Sequence, residues 1–328
     1  MNLDNTVRSS RAHGPRLKAP RPVLVGGCPR SGTTLLGAML GVGADRVTVP
    51  ESLFKFRLLR ALSPDGELDV AAARRLLTAD ERFGLWQVAV PPTPDGPARV
   101  RYEALVTGLV LRFAEVVGKP GPAVWIDHTP GNVSYASSMA RLFPDAKLVH
   151  VVRDGRAVAA SVLPLDWGPN TAAEAAKWWA GHVATGLAAE RRFPDRVLTV
   201  RFEDLLADPE ATLRAVCGFV DTPYDPAMVG TRDYRARAYT VTEHRLVDEG
   251  PDPRRADAWR ERLTDSQVGT VEHLTGELLE LLGYRMEYGP RARLSSRPER
   301  LAAFAVDMAR RASLDRLRRA LTRRRMLR

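Results

Sequence analysis

Val23-Leu24-Val25-Gly26-Gly27-Cys28-Pro29-Arg30-Ser31-Gly32-Thr33-Thr34 joins a β-branched run to a glycine-rich turn, and an apolar stretch continues from it to Leu40. Strand, turn and helix in that order open a parallel α/β unit. Gly27 and Gly32 have the spacing of the phosphate-cradling loop G-x-x-x-x-G-K-[ST], in the strand-to-helix context that motif requires. Thr33 stands where the lysine that reaches the β and γ phosphates of a nucleoside triphosphate belongs, which argues against ATP hydrolysis. The anion logic survives, because successive amide N–H groups and a helix N-terminus still form a concave site for negative charge. Arg30 adds a guanidinium fork, and the hydroxyls of Ser31, Thr33 and Thr34 can donate to oxygens that no metal need hold. Such a loop suits a ligand with one 5′-phosphate and an attached group better than a triphosphate with magnesium.

Outward from this loop the same alternation continues. Residues 123–126 predict a second strand, followed by Pro130 and a helix over 132–142. Residues 147–152 are apolar on both faces, as a central parallel strand should be, and 197–202 predict a fourth strand. Asp208 and Pro209 occupy N-cap and N1 positions of a helix reaching Phe219, and Asp265 caps a helix through Leu282 that Gly283 stops. The expected fold is α/β: a P-loop-like, mainly parallel sheet flanked by helices, with a basic helical C-terminal extension. Residues 53–117 read as helical and loop-rich, the region where acceptor specificity would be built.

The chain has 328 residues, 45% of them hydrophobic, and a net charge of +10. That sum invites a nucleic-acid reading, but the distribution matters more. Residues 290–328 hold thirteen arginines against Glu299, Asp307 and Asp315, residues 1–21 are basic, and the body between is mildly acidic. The expected division is a disordered basic arm (1–21), one catalytic domain (22–289) and a basic amphipathic helical tail (290–328). In the tail Leu301, Phe304, Met308, Leu314, Leu317 and Leu321 approximate helical spacing among arginines. That helix would pack on the body, lie in solvent, or meet an anionic membrane surface or an acidic partner. Two cysteines, Cys28 and Cys217, are too few for a cystine framework, no apolar run reaches membrane-spanning length, and no apolar leader opens the chain. A cytoplasmic location follows as the expectation. His13, His150, His182, His244 and His273 show no metal-ligand spacing, so no metal site is expected.

A second anion site follows the third strand, where Arg153-Asp154-Gly155-Arg156-Ala157-Val158-Ala159-Ala160-Ser161 places an arginine at the strand end and a serine two helical turns along. Either residue alone is ordinary surface chemistry. Paired with the first loop, both could face one phosphate.

Together the segments PRSGTT (29–34) and RDGRAVAAS (153–161) resemble the 5′-phosphosulfate loop and the 3′-phosphate site of the PAPS-dependent sulfotransferase family, whose donor is 3′-phosphoadenosine 5′-phosphosulfate. TPGN (129–132), FEDLLADPEATL (202–213), WRERL (259–263) and LLGY (281–284) extend the resemblance across about residues 22–285. It implies metal-independent transfer of a sulfuryl group to a hydroxyl of a small-molecule, sugar or lipid acceptor. Arg30, Ser31, Gly32, Thr33 and Thr34 would hold the 5′-phosphosulfate, and Arg153 and Ser161 the 3′-phosphate. A late loop over residues 244–255, with Arg254 and Arg255, would close on that phosphate.

This chemistry needs a donor at the leaving oxygen, for which Arg30 is the choice, and a base for the acceptor hydroxyl. Glu51 matches the catalytic glutamate of the branch that holds tyrosylprotein and many bacterial enzymes; otherwise it is a solvated loop carboxylate. Two positions depart from the family. His128 replaces a frequent lysine, and could donate to the sulfuryl group, serve as base in place of Glu51, or be structural. Phe202 replaces a tyrosine near the adenine, keeping the ring and losing the hydroxyl. Two rivals remain: a P-loop phosphotransferase, and a basic membrane or nucleic-acid adaptor that has kept the fold and lost turnover.

Overall fold

The computed structural model describes residues 19–90, 92, 98–165, 167–230 and 251–310. Most of the basic arm, residues 244–250 of the expected closing loop, and the tail beyond Arg310 lie outside the described residues.

In chain order the elements are β1 (Arg21–Gly27), α1 (Thr33–Leu40), β2 (Arg46–Val49), α2 (Leu53–Leu59), β3 (Glu67–Asp69), α3 (Val70–Thr78), β4 (Arg99–Arg101), α4 (Tyr102–Val116), β5 (Val124–Asp127) and α5 (Ala136–Leu142). There follow β6 (Lys147–Val152), α6 (Gly155–Val162), α7 (Ala172–Arg192), β7 (Val197–Arg201), α8 (Phe202–Ala207), α9 (Pro209–Phe219), α10 (Asp265–Leu281) and α11 (Arg297–Ala309). Five strands form one parallel sheet in the order β2-β5-β1-β6-β7, and β3 and β4 pair antiparallel apart from it.

Successive side chains on a strand point to opposite faces, and the apolar residues of this sheet sort accordingly. Leu24, Trp125, Leu148 and Val47 face one core with α2, α3 and α4. Val23, Val25, Val124, Ile126, Val149 and Val151 face a second core with α1 and α9. Burial on both faces is why the strands read as apolar runs without alternation, and why helices must cover both sides.

Because the sheet is parallel, β1, β2, β5 and β6 all end at one edge, at Gly27, Val49, Asp127 and Val152. Arg30, Glu51, His128 and Arg153 each follow within three residues of those ends. Ligands of open parallel sheets bind at this edge.

Several boundaries differ from expectation. Residues 130–135 form a 3-10 turn, with the helix starting at Ala136. Phe202 opens α8 instead of closing the strand. The cap of α10 is Thr264, whose hydroxyl accepts from Gln267 N while the Gln267 side chain returns to Thr264 N, a reciprocal pair that Asp265 cannot form from one position later. Strand β2, four residues long, and the β3–β4 pair lie where the sequence predicts no strand. In the extension, α11 carries Arg297 and Arg300 against Glu299 and Asp307, so the described helix is not itself basic.

Candidate active site

The loop between β1 and α1 turns on two left-handed residues, Arg30 at φ 75° and Gly32 at φ 95°. Gly32 is obligatory on two counts. A side chain strains there, and a Cβ would sit 2.2 Å from Phe202 Cδ2. The non-glycine Arg30 in this region costs about 1 kcal/mol or more, so its surroundings must hold it. They do: Arg30 Nε donates to Ser161 Oγ at 3.0 Å, and Arg153 Nη1 donates to the Arg30 carbonyl at 3.0 Å. The helix that follows has no side-chain cap at Gly32, so its first-turn N–H groups are left for a ligand or solvent.

Arg153 joins the two loops expected to hold anions. Its Nη2 donates to the Arg255 carbonyl at 3.1 Å, its own carbonyl accepts from Trp179 Nε1 at 2.8 Å, and its guanidinium lies 4.8 Å from the Phe202 ring centre. Burial, with Arg30 nearby, lowers its pKa to about 10, so it stays a cation at neutral pH. Two buried polar atoms here, Ser31 Oγ and Arg153 Nε, have no hydrogen-bond partner among the described residues. Buried groups of this kind are normally satisfied. A donor-only guanidinium nitrogen and a hydroxyl left open beside uncapped amides fit an anionic ligand of the phosphosulfate kind.

The motifs that carried the resemblance prove to interlock. Asp154 caps α6 and takes three hydrogen bonds from the Arg156 guanidinium, which also pairs with Glu272 at 2.6 Å and lies 4.3 Å from the Trp259 ring. Glu203 of α8 accepts Asp154 N at 3.0 Å and the Tyr284 hydroxyl at 2.9 Å. Burial raises the Glu203 pKa, and the bonds it accepts work against that rise. Thus RDGR, FED, WRERL and LLGY form one scaffold behind Arg153.

On the other side of β1, Lys55 of α2 is buried against Asp127 and Asn132. Asp127 also accepts from Ser52 Oγ, from Thr129 N at 2.9 Å and from Thr129 Oγ1 at 2.5 Å. Burial pushes the Asp127 carboxyl up, but Lys55 and these donors outweigh it and hold the pKa at about 2. Asn132 Nδ2 donates to the Val25 and Asp127 carbonyls, and Thr129 Oγ1 accepts Ser52 N. The TPGN segment therefore clamps the ends of β1, β2 and β5.

Glu51 emerges beside this clamp, partly exposed and 3.1 Å from Arg82 Nη1. His128 is buried, with its Cβ packed against Gly37 of α1, and burial lowers its pKa to about 4, so the imidazole is neutral at neutral pH. Of the remaining site candidates, Thr33 and Thr34 are buried in the first turn of α1. Phe202 is 4% exposed, filled in between Gly32 and Arg153. Arg255 touches Arg153 through its carbonyl, whereas the Arg254 side chain is 91% exposed and turned to Asp252. Sequence reasoning passed over Lys55, Asp127, Arg82 and Glu203. A lone lysine inside the apolar run Leu53-Phe54-Lys55-Phe56 was the available signal, since a charge there must be buried with a partner. Among the described residues no three His, Cys, Asp or Glu side chains are grouped to hold a metal ion, and no helix is long and apolar enough to cross a membrane.

Comparison with known proteins bears on this arrangement. Protein-tyrosine sulfotransferase 1 of Danio rerio is 25% identical over 227 residues, covering 67% of this chain and 58% of the relative. Nodulation protein NoeE of Sinorhizobium fredii is 27% identical over 291 residues, covering 79% of this chain and 64% of the relative. The chain thus spans less than two thirds of the length of either of these curated relatives. Among solved structures, the sulfotransferase domain of the Synechococcus PCC 7002 olefin synthase superposes with TM-score 0.55 at 23% identity, covering 83% of this chain and 98% of that domain. The sulfotransferase domain from the curacin biosynthetic pathway gives 0.56 at 18%, covering 81% and 99%. At these identities the likeness speaks to the fold. Residues 22–226, which run from β1 through α9 and include both anion loops, match the sulfotransferase family, and the chain belongs to that family, with a fold related to the PAPS-dependent sulfotransferases.

Proposed function

We propose that this protein is a PAPS-dependent sulfotransferase acting on a hydroxyl of a small-molecule, sugar or lipid acceptor and leaving adenosine 3′,5′-bisphosphate. The observation that carries the reading is the joining of Arg30, Arg153 and Ser161 into one bonded cluster that leaves Ser31 Oγ and Arg153 Nε open. When bound, PAPS supplies the sulfuryl group and a phosphate leaving group. The residues of this chain bind and orient. Amides and hydroxyls from Ser31 to Thr34 grip the 5′ end, Arg153 and Ser161 the 3′-phosphate, and Arg255 lines the same region. Arg30, fixed in its left-handed conformation, would supply positive charge to the leaving oxygen as negative charge grows there, the form of stabilisation that counts most in a dry site. Phe202 holds the loop by filling the space over Gly32.

Glu51 accepts the acceptor's hydroxyl proton. It is the more accessible of the two candidate bases, and Arg82 keeps it oriented at the strand edge. His128 would donate a hydrogen bond as a neutral imidazole or serve as base in its stead. No metal is needed for these roles.

The test is thermal shift with adenosine 3′,5′-bisphosphate and, separately, with ATP and magnesium. Stabilisation by the bisphosphate supports the reading, and stabilisation by ATP alone sinks it in favour of a phosphotransferase. Mass spectrometry of an acceptor panel incubated with PAPS, with sugars, lipids, phenols and a tyrosyl peptide, would identify the acceptor by a gain of SO₃.

A further inference from the structure

We propose that α11 docks the protein on an anionic lipid bilayer, with Leu301, Phe304 and Met308 entering the boundary between headgroups and acyl chains. An amphipathic helix at the edge of a domain ordinarily turns its apolar stripe inward. Here the reverse holds. Ala303, Asp307 and Arg310 share one face by helical spacing, and that face meets the body. Asp307 is 7% exposed and accepts from Asn170 Nδ2 at 2.5 Å, while Arg310 donates to the Leu163 and Leu165 carbonyls at 2.9 and 2.6 Å. At its start, Glu299 closes a capping box with Ser296 and accepts from Ser266 Oγ, which ties the helix to α10.

On the opposite face Leu301, Phe304 and Met308 are 70%, 59% and 52% exposed. Three large apolar side chains on one outward stripe are more than the scattered exposure that needs no explanation. Arg297 and Arg300 flank the stripe, and the eighteen residues that follow Arg310 include eight arginines against one acid, Asp315. Apolar insertion combined with a polybasic segment is the two-signal pattern of anionic bilayer surfaces. An acidic protein would meet the arginines and leave the apolar stripe uncovered. A second copy of this chain would bring its own arginines against them. The bilayer satisfies both features at once.

The experiment is co-sedimentation of the full chain with vesicles of phosphatidylcholine mixed with phosphatidylglycerol, and with phosphatidylcholine alone, at low and high salt. Binding is expected to the mixed vesicles, to be weak on the neutral ones and to fall with salt. Leu301→Asp/Phe304→Asp should lower partition on mixed vesicles by about tenfold or more with an unchanged melting temperature. A milder Leu301→Ser/Phe304→Ser variant guards against a folding effect. Absence of vesicle binding, unchanged partition of both variants, or concentration-dependent self-association that the variants abolish would each overturn the proposal. None of these readouts depends on PAPS, so failure here and failure of the sulfotransferase reading are separate.

Discussion

Arg30 Nε lies 3.0 Å from Ser161 Oγ, a hydrogen bond between residues 131 positions apart that ties the first anion loop to the helix after β6. The Arg30 carbonyl, taking Arg153 Nη1 at 3.0 Å, closes a ring of contacts through both loops. Neither loop can shift without the other, so the two ends of a donor would be bound by one rigid unit. In the proposed reaction such fixed donors would need no reorganisation as charge develops.

Arg153→Ala should therefore weaken adenosine 3′,5′-bisphosphate by about 1.5–3 kcal/mol, the range for a lost charge-assisted hydrogen bond. Arg153→Lys should recover little, since an ammonium cannot reach the Arg30 and Arg255 carbonyls and a phosphate together. Isothermal titration checks both, and wild-type affinity in the alanine variant would remove residue 153 from the donor site.

Gly32→Ala should abolish donor-induced stabilisation. The new methyl would meet the Phe202 ring, and a φ of 95° adds about 1–3 kcal/mol of strain. Adding Phe202→Ala relieves the collision but leaves the strain, so the double variant should recover melting temperature in part and donor binding less. A thermal-shift titration separates these outcomes.

The opening strand, its loop and α1 were legible because a buried parallel strand, a glycine turn and an apolar helix each leave a local signature. Strand β2 was not, since its four residues carry too little pattern and its place is fixed by pairing with β5. In the same way Arg30 and Arg153 announced themselves by motif, whereas the Lys55–Asp127 pair depends on two elements meeting. Phe202 is read from its position as a ring near the adenine, and its packing against Gly32, which depends on α8 meeting the first loop, leaves no mark in the local sequence.

Glu51→Gln should cut kcat by about 10²–10⁴ while leaving bisphosphate affinity nearly unchanged, as expected for loss of a general base that does not touch the donor. His128→Asn should cost less. A His128 base of ordinary pKa would bend the kcat profile near pH 6.5, and burial moves that bend to about 4. Steady-state kinetics on the two variants assigns the role, and a near-normal kcat for the glutamine variant transfers it to His128.

Lys55→Met should destabilise the fold by about 3–5 kcal/mol, because it strands the buried Asp127 carboxylate. Lys55→Met/Asp127→Asn should be milder than the single change, since no unpaired charge is left inside. Urea unfolding of the three proteins measures the difference, and a double variant worse than Lys55→Met would mean that the pair matters for more than charge balance.

Acid should weaken the protein in two successive windows. His128 and His150 are both lowered to about 4 by burial, so the unfolded chain takes up two protons below about pH 6.5 that the folded chain refuses. Stability from these groups is whole above that value and is lost as pH falls toward 4, on the order of 2–4 kcal/mol by pH 5. Asp127, held at about 2, adds a second loss of about 2–3 kcal/mol between its unfolded value near 4 and its folded one. Glu203, raised by burial, opposes both by favouring the folded state when protonated. Urea midpoints at pH 8, 6 and 5 should thus fall steadily with pH, with Glu203 offsetting part of the loss toward pH 5, and equal midpoints at pH 8 and 5 would show that the two imidazoles are not held neutral in the fold.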